Sequence, residues 1–254
     1  MYTTNCTGFL QPSLKKQQAL EEYSYYMEII PITNLQPSDL LALKESTSSS
    51  FEFLPAIWEA AAALISPELE NRFLGLRRLE ESGAMRRHPL VSYLLTTRII
   101  EPDIELRTRV INALASVFSD DEERRSSEEV RLHLINCLAG MRTRQIFALL
   151  QVADFDTSAE PVVAGLLSYC SFAGGHLTEI LMDRQAPLNI RKRAAHFIGR
   201  IGFIDALPCL ERLETRLESR LDGRKCATGD RFDEHEEVSL LPLIHDALGM
   251  LRAP

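Results

Sequence analysis

The sequence predicts an all-α protein built from consecutive helical hairpins. Two patterns lead to this fold class. From Phe51 onward, apolar residues recur with the 3.6-residue period of an amphipathic helix, and the alternating runs typical of strands are nearly absent. Several of the helical segments also resemble one another in sequence, which indicates a repeat architecture.

Residues 1–50 differ from the rest and form a predicted N-terminal extension. They are rich in Gln, Ser, Thr and Tyr, and they end in a serine-rich stretch that is typical of a linker. One helix is predicted from Ser13, as its N-cap, to about Ile30, and a second short helix from Ser38. We therefore expect this extension to be only partly ordered.

Residues 51–254 form the predicted helical domain. Breakers such as Ser66-Pro67 and Ala186-Pro187 separate the segments, and such short connections favour antiparallel neighbours. Residues 221–234 lack apolar anchors and contain two glycines, so they are predicted to be an inserted, mobile loop. The predicted helices span about 51–65, 67–82, 86–100, 103–118, 126–140, 143–153, 158–172, 175–184, 188–201, 203–220 and 236–252.

The repeats align on short segments that begin with an apolar residue. The segment 106–114 matches 190–198 and 130–138, and less closely 69–77, while Val162 and Leu240 start weaker copies. Val130 follows Leu106 by only 24 residues (130 − 106), which is too short for a full hairpin. One helix is therefore predicted to be missing at that point of the array.

The pattern resembles HEAT repeats, and more loosely the HEAT-like repeats of bilin lyases, over residues 67–252. The resemblance implies a right-handed α-solenoid of about five to six irregular hairpins, whose second helices line a concave surface. In that family an arginine at the position of Arg107, Arg131 and Arg191 commonly bonds the acidic turn of a neighbouring repeat. The resemblance thus gives these three arginines a structural role.

Equal offsets from the repeat starts place a set of polar side chains on equivalent helix faces. The resemblance puts this set on the concave surface, where it is predicted to bind polar or acidic groups of a partner protein. The alternative interpretation is a solvated helix face without a ligand. The two adjacent rows consist of Arg72, Arg109, His133 and Arg193, and of Asn112, Asn136 and His196.

No motif in the chain indicates catalysis, a cofactor or a metal ion. G-x-S-x-G, P-loop and H-E-x-x-H patterns are all absent from the sequence, so no such residue is predicted. The acidic stretch 233–237 offers ligands for weak binding of a divalent ion, but the preferred interpretation is a solvated helix start. Cys137 and Cys170 are predicted to lie in the core, and Trp58, the one tryptophan, in the core or in an N-terminal cap.

Charge and cysteine usage restrict the partners and the compartment. The net charge is −8 and no fifty-residue block is basic, which argues against nucleic acid or an anionic membrane as the partner. No signal peptide and no apolar run long enough for a membrane helix are found. Five scattered cysteines without a C-x-x-C pair predict a reducing cytoplasm.

The sequence favours a non-catalytic HEAT-repeat scaffold or adaptor that binds another protein along its concave face. An acidic segment is one candidate partner. The resemblance leaves two alternatives open, a HEAT-like DNA alkyl-base glycosylase and a bilin-lyase-like tetrapyrrole-binding protein. The acidic charge argues against the first, and no residue pattern specifically supports the second. The sequence does not predict the oligomeric state.

Overall fold

The structure is a computed structural model, and it describes residues 55–119, 126–224 and 237–253. These ranges contain eleven α-helices and no strand, which confirms the all-α prediction. The predicted N-terminal extension and linker, and residues 225–234 of the predicted loop, lie outside the described residues. Within the described ranges, no helix has both the length and the apolar character needed to cross a membrane.

The helices follow one another with short connections, several of which contain a single 3-10 turn. Such turns occupy Ala84–Arg86, Arg98–Ile100, Thr157–Ala159 and Ile204–Ala206. The α-helices are 55–64 (α1), Leu69–Glu81 (α2), Pro89–Thr97 (α3), Ile104–Ser116 (α4), Glu128–Ala139 (α5), Thr143–Phe155 (α6), Glu160–Ser168 (α7), Ala173–Met182 (α8), Leu188–Ile201 (α9), Leu207–Arg224 (α10) and Leu241–Arg252 (α11).

Helix boundaries follow capping residues that the sequence displays. Asp103 caps α4 by accepting a hydrogen bond from the backbone N–H of Leu106 at 2.9 Å, and Ser127 accepts from Val130 N–H at 3.4 Å. Gly202 ends α9 in the left-handed conformation, with a φ of 86°, which a side chain would disfavour. These local signals explain why most of the predicted helices have the right position.

The predicted start of the inserted loop is wrong. Helix α10 continues to Arg224, so residues 221–224 are helical and do not belong to a loop. The apolar stripe of Leu210, Leu213 and Leu217 is buried, and Leu221 extends it by another turn against the core. The two glycines and the charges nearby obscure this continuation in the sequence.

The helices pack in a repeat-like order. One succession consists of α2, α4, α6, α9 and α11, in which each helix packs against the next. The intervening helix α3 packs against α5, α8 against α6 and α9, and α10 against α11. Helix α7 is an addition to this order, because it packs against α4, α6 and α9 together.

This packing corrects the predicted repeat alignment. Val130 starts a segment of α5, which packs against α3, whereas the helix that follows α4 in the succession is α6. The predicted missing helix is therefore not missing, since α5 lies between α4 and α6 in the chain. Near the start of α5, an apolar residue is followed by an arginine, Val130-Arg131, as in α4. Because of this similarity, the sequence alignment matched α5 with α4 instead of matching α6 with α4.

The core forms one continuous cluster along the described helices. The side chains predicted to be buried are all fully buried, which confirms the orientation of α4, α5 and α9: Leu106, Ile111, Leu114, Leu138, Phe197 and Ile198. Cys170 is buried as predicted, and its thiol donates to the Met141 carbonyl at 3.8 Å. Cys137 is only half-buried.

Glycine allows two pairs of helices to approach each other closely. A Cβ added to Gly199 of α9 would lie 2.7 Å from the Cα of Ala247 in α11, and one on Gly75 of α2 would lie 2.6 Å from the backbone nitrogen of Leu64 in α1. Both neighbours are backbone atoms, which cannot move without shifting a helix. These positions therefore require glycine for packing rather than for backbone freedom.

Gly199→Ala is expected to destabilise the protein by about 1–3 kcal/mol, the usual range for overpacking, although alanine is the better helix former. Gly165→Ala is the matched control, because an added Cβ on α7 meets no atom within 4 Å. The control is expected to be neutral or stabilising by up to about 1 kcal/mol. Urea unfolding of both variants measures the difference, and equal effects would contradict the close α9–α11 packing.

Candidate functional site

Three arginines hold equivalent positions in the first turns of α2, α4 and α9. Arg72, Arg107 and Arg191 are each three residues beyond the first residue of α2, α4 and α9. Each donates back to a carbonyl that precedes its own helix. Arg72 Nη1 reaches the oxygen of Pro67 at 2.7 Å, Arg107 Nε that of Glu101 at 2.6 Å, and Arg191 Nε that of Leu181 at 2.9 Å.

The same guanidinium groups also reach a side chain that lies later in the chain. Arg72 Nε donates to Glu101 at 3.0 Å, and Arg107 Nη1 donates to Gln151 at 2.6 Å. Arg191 Nη2 donates to Glu237 at 3.5 Å. Each arginine thus joins two consecutive hairpins by charge-assisted hydrogen bonds. Arg191 bonds an acidic residue of the next hairpin, as the resemblance implied. Arg107 joins two hairpins as well, but through the neutral Gln151 rather than an acidic turn, and Arg131 lies on α5, outside this succession.

Arg72 therefore serves a different purpose from the one that the sequence suggested. Aligning on Leu69 and Leu106 placed it opposite Arg109, in the partner-binding row. The helix starts place it opposite Arg107 instead. Its largely buried guanidinium is used by Glu101 and by two backbone carbonyls, so it has no free face for a partner.

Arg193 and His196 do lie together, on one face of α9. Both contact Glu160, the first residue of α7, with His196 Nε2 at 2.8 Å and Arg193 Nη1 at 3.2 Å, and Arg200 pairs with the same carboxylate. Arg193 also lies 3.5 Å from Asp154. The hydrogen bond with His196 lowers the pKa of the Glu160 carboxyl, burial opposes this, and the adjacent positive charges lower it further.

This cluster borders an open cleft of about 290 Å³. An acidic partner segment in the cleft would compete with carboxylates that already hold Arg193 and His196. Reversing the charge of Arg193 would also place a third acid beside Asp154 and Glu160, so such a variant is expected to lose stability as well as any partner contact. The cleft is lined by Asp154, Asn189, Lys192, Arg193, His196 and Leu243.

The remaining members of the two predicted rows are divided between different helices. Arg109 and Asn112 are exposed on α4, and the Arg109 guanidinium lies 5.4 Å from the centre of the Phe73 ring. His133 and Asn136 lie on α5, which packs against α3. The structure therefore brings Arg193 and His196 together, and Arg109 and Asn112 together, but α5 carries His133 and Asn136 in a different succession of helices.

An apolar groove between α1 and α3 is a feature that the sequence did not predict. Trp58 is 65% exposed, Leu90 66% and Tyr93 56%, which shows that Trp58 is not a core residue. The groove has a volume of about 300 Å³ and its lining is almost wholly apolar. It is lined by Ile57, Trp58, Ala61, His88, Leu90, Val91, Tyr93 and Leu94.

The sequence carried a signal for this groove. The segment 51–65 is apolar on nearly every face, more than one buried stripe requires. Two basic residues, Arg86 and Arg87, directly precede His88, which lines the groove just before α3 begins. Arg87 is exposed, and the Nε of Arg86 is buried without a hydrogen-bond acceptor in the structure.

A second group missed from the sequence joins α10 and α11. His245 Nε2 lies 3.2 Å from a carboxylate oxygen of Glu214 and 3.5 Å from one of Glu218. Donor atoms of these three residues lie within 4.8 Å of one another, which is compatible with a metal ion. Glu218 and His245 are exposed, and a histidine beside two surface carboxylates accounts for the same arrangement without an ion.

Comparisons of the chain with family models, with curated proteins and with solved structures give no significant match. The functional interpretation therefore depends on the residues and contacts described above.

Proposed function

We propose that this chain is a non-catalytic helical-repeat scaffold or adaptor that binds another protein. The observation that carries the proposal is the apolar groove between α1 and α3. Contiguous aromatic and aliphatic surface on a folded protein usually marks an interaction site, because its exposure to water is unfavourable. Tryptophan and tyrosine are also the residues that most often dominate binding energy at protein interfaces.

The occupant that fits the groove is an amphipathic helical segment of a partner protein. Two neighbouring helices with an apolar groove between them can bind the apolar face of a third helix. His88 lines the α3 side of the groove, and the exposed Arg87 directly precedes it in the chain, so acidic residues beside the apolar face of the partner would complement this end of the groove. The partner is thus a protein segment with both apolar and acidic residues.

A HEAT-like right-handed solenoid and a cytoplasmic location belong to the same proposal. The succession from α2 to α11 and the repeated arginine bonds at Arg72, Arg107 and Arg191 support the repeat architecture. On this architecture Arg109 and Asn112 provide a further polar contact for the partner. No contact in the described part of the chain favours the glycosylase or the tetrapyrrole alternative over a protein-binding role.

Leu90→Asp tests the proposed groove without threatening the fold. Leu90 is two-thirds exposed in the first turn of α3, where a carboxylate suits the helix N-terminus. Affinity capture from native lysate is expected to yield a stoichiometric partner with the unmodified protein and none with this variant. Leu132→Asp is the matched control, because Leu132 is also exposed but does not line the groove.

The captured protein is then examined directly. A synthetic peptide covering its amphipathic, acidic segment is expected to bind the unmodified protein and the Leu132→Asp control, and to lose binding with Leu90→Asp. Capture of the same proteins by all three forms would contradict the groove as the binding site. A captured partner that has no amphipathic helical segment would contradict the proposed occupant.

A further inference from the structure

Four arginines converge on one carboxylate at the junction of α8, α9 and α10. Glu237 lies 3.2 Å from Arg184 Nε, 3.5 Å from Arg191 Nη2 and 3.7 Å from Arg216 Nη2, and it also pairs with Arg220. Its side chain is only 8% exposed. The sequence interpretation of Glu237 as part of a solvated acidic helix start is therefore wrong.

The cluster carries more positive charge than Glu237 neutralises. Four guanidinium groups and one carboxylate sum to +3, and all four groups lie within 4 Å of the same carboxylate. Burial raises the pKa of Glu237, but the four neighbouring guanidinium groups outweigh burial and the pKa is lowered. Glu237 is accordingly ionised near neutral pH, and the excess charge belongs to the arginines.

Among the residues that the structure describes, the cluster also has more N–H donors than acceptors. Arg191 is 5% exposed and bonds Leu181 and Glu237, whereas Nε and Nη2 of Arg216 are buried and make no hydrogen bond in the structure. One carboxylate accepts about four hydrogen bonds, and each guanidinium offers five N–H groups. The side chains of Arg184, Arg216 and Arg220 are 59%, 35% and 35% exposed, so the cluster is in contact with solvent.

We propose that Arg184, Arg191, Arg216 and Arg220 form a binding site for a phosphate dianion. Phosphate has more acceptor oxygens than a carboxylate and carries the charge that the cluster lacks, and planar guanidinium groups bind it in a bidentate manner. The site is distinct from the apolar groove and does not depend on it. The phosphate is either free in solution or carried by a phosphorylated side chain of a partner.

Inorganic phosphate is the first probe, titrated against the full chain at constant ionic strength with chloride as the reference ion. The Nε–H resonances of Arg184, Arg191, Arg216 and Arg220 are expected to shift with saturation, and the melting temperature is expected to rise. Arg216→Gln is expected to weaken binding by at least about tenfold, the change that follows the loss of one charge-assisted hydrogen bond.

Two further variants separate a lost site from a lost fold. Arg184→Gln changes an exposed residue in the turn before α9 and is also expected to weaken phosphate binding. Arg212→Gln is the control, one turn earlier on α10, where Arg212 donates to the Pro208 carbonyl, and it is expected to leave binding unchanged. Tighter binding of a phosphoserine peptide than of its serine counterpart would assign the phosphate to a partner, and binding of inorganic phosphate alone would assign it to a free ion.

Absence of saturable phosphate binding would overturn the proposal. That is the result expected if acidic residues elsewhere in the chain already neutralise the cluster. Equal binding by the unmodified protein and by both Arg184→Gln and Arg216→Gln would overturn it as well, because the phosphate would then bind at another place.

Discussion

Replacing Phe197 by alanine is expected to lower the free energy of unfolding by about 3–5 kcal/mol, the usual range for removing a buried phenylalanine ring. Phe197 is fully buried, and it lies on α9, which packs against α6, α7, α8 and α11. The surrounding helices are fixed from several sides and cannot close the cavity. Urea unfolding followed by circular dichroism measures the effect.

Phe155→Ala is the control for this prediction. Phe155 is the last residue of α6 and is mostly exposed, so the same loss of atoms is expected to change the stability by less than about 0.5 kcal/mol. A cost below about 1 kcal/mol for Phe197→Ala would show that α9 is rotated about its axis relative to the described orientation.

Replacing Glu237 by glutamine is expected to cost about 3 kcal/mol at neutral pH. Among the described residues, Glu237 is the carboxylate paired with all four of Arg184, Arg191, Arg216 and Arg220, and its replacement removes that countercharge from the deeply buried Arg191. The expected value is at the lower end of the range for breaking a buried ion pair, because the other three arginines reach solvent.

The pH dependence of this effect has a definite sign. The pKa of Glu237 in the folded protein lies below the ordinary value of 4.5. Its contribution is therefore fully present above pH 4.5 and is lost as the pH falls through the lowered pKa. The stability difference between the unmodified protein and Glu237→Gln is expected to be constant near neutrality and to shrink in acid.

Glu81→Gln is the control for Glu237→Gln. Glu81 forms an exposed ion pair with Arg77 one turn away on α2, at 3.4 Å, and such surface pairs contribute about 0–1 kcal/mol. A loss for Glu237→Gln no larger than that of the control would contradict the description of Glu237 as the centre of the arginine cluster.

The helices were predictable because their signals are local. Caps such as Asp103, breakers such as Ser66-Pro67 and the 3.6-residue apolar period lie within a few residues of the structure that they determine. The six core residues were predictable for the same reason, since a helix face is fixed by spacing along one segment. The end of α10 was predicted too early. The two glycines and the charged residues after Leu221 indicated a loop, although Leu221 itself continues the apolar stripe of the helix.

The candidate sites depend on contacts between distant residues, and these were harder to predict. The sequence alignment paired Arg72 with Arg109, whereas the structure pairs it with Arg107. This shift of two residues changed the predicted role of Arg72 from packing to partner binding. The Glu237 cluster joins residues as far apart as Arg184 and Glu237, and the charges of each segment alone do not reveal that they meet. The prediction that His133 belongs to the partner-binding row was wrong because of its helix, α5. The sequence at the start of α5 resembles that of the second helix of a hairpin, but α5 packs in the position of a first helix.

Trp58 allows the central claim, an open groove that binds a partner helix, to be measured directly. It is the one tryptophan in the chain and it lines the groove, so its fluorescence reports on that surface alone. In the free protein we expect the emission of a solvent-exposed indole. Addition of a tryptophan-free peptide from the captured partner is expected to shift this emission to shorter wavelength, with the same half-saturation as binding, and Leu90→Asp is expected to abolish the shift. Emission at short wavelength in the free protein, or no shift when the peptide is bound at saturation, would contradict the proposed groove.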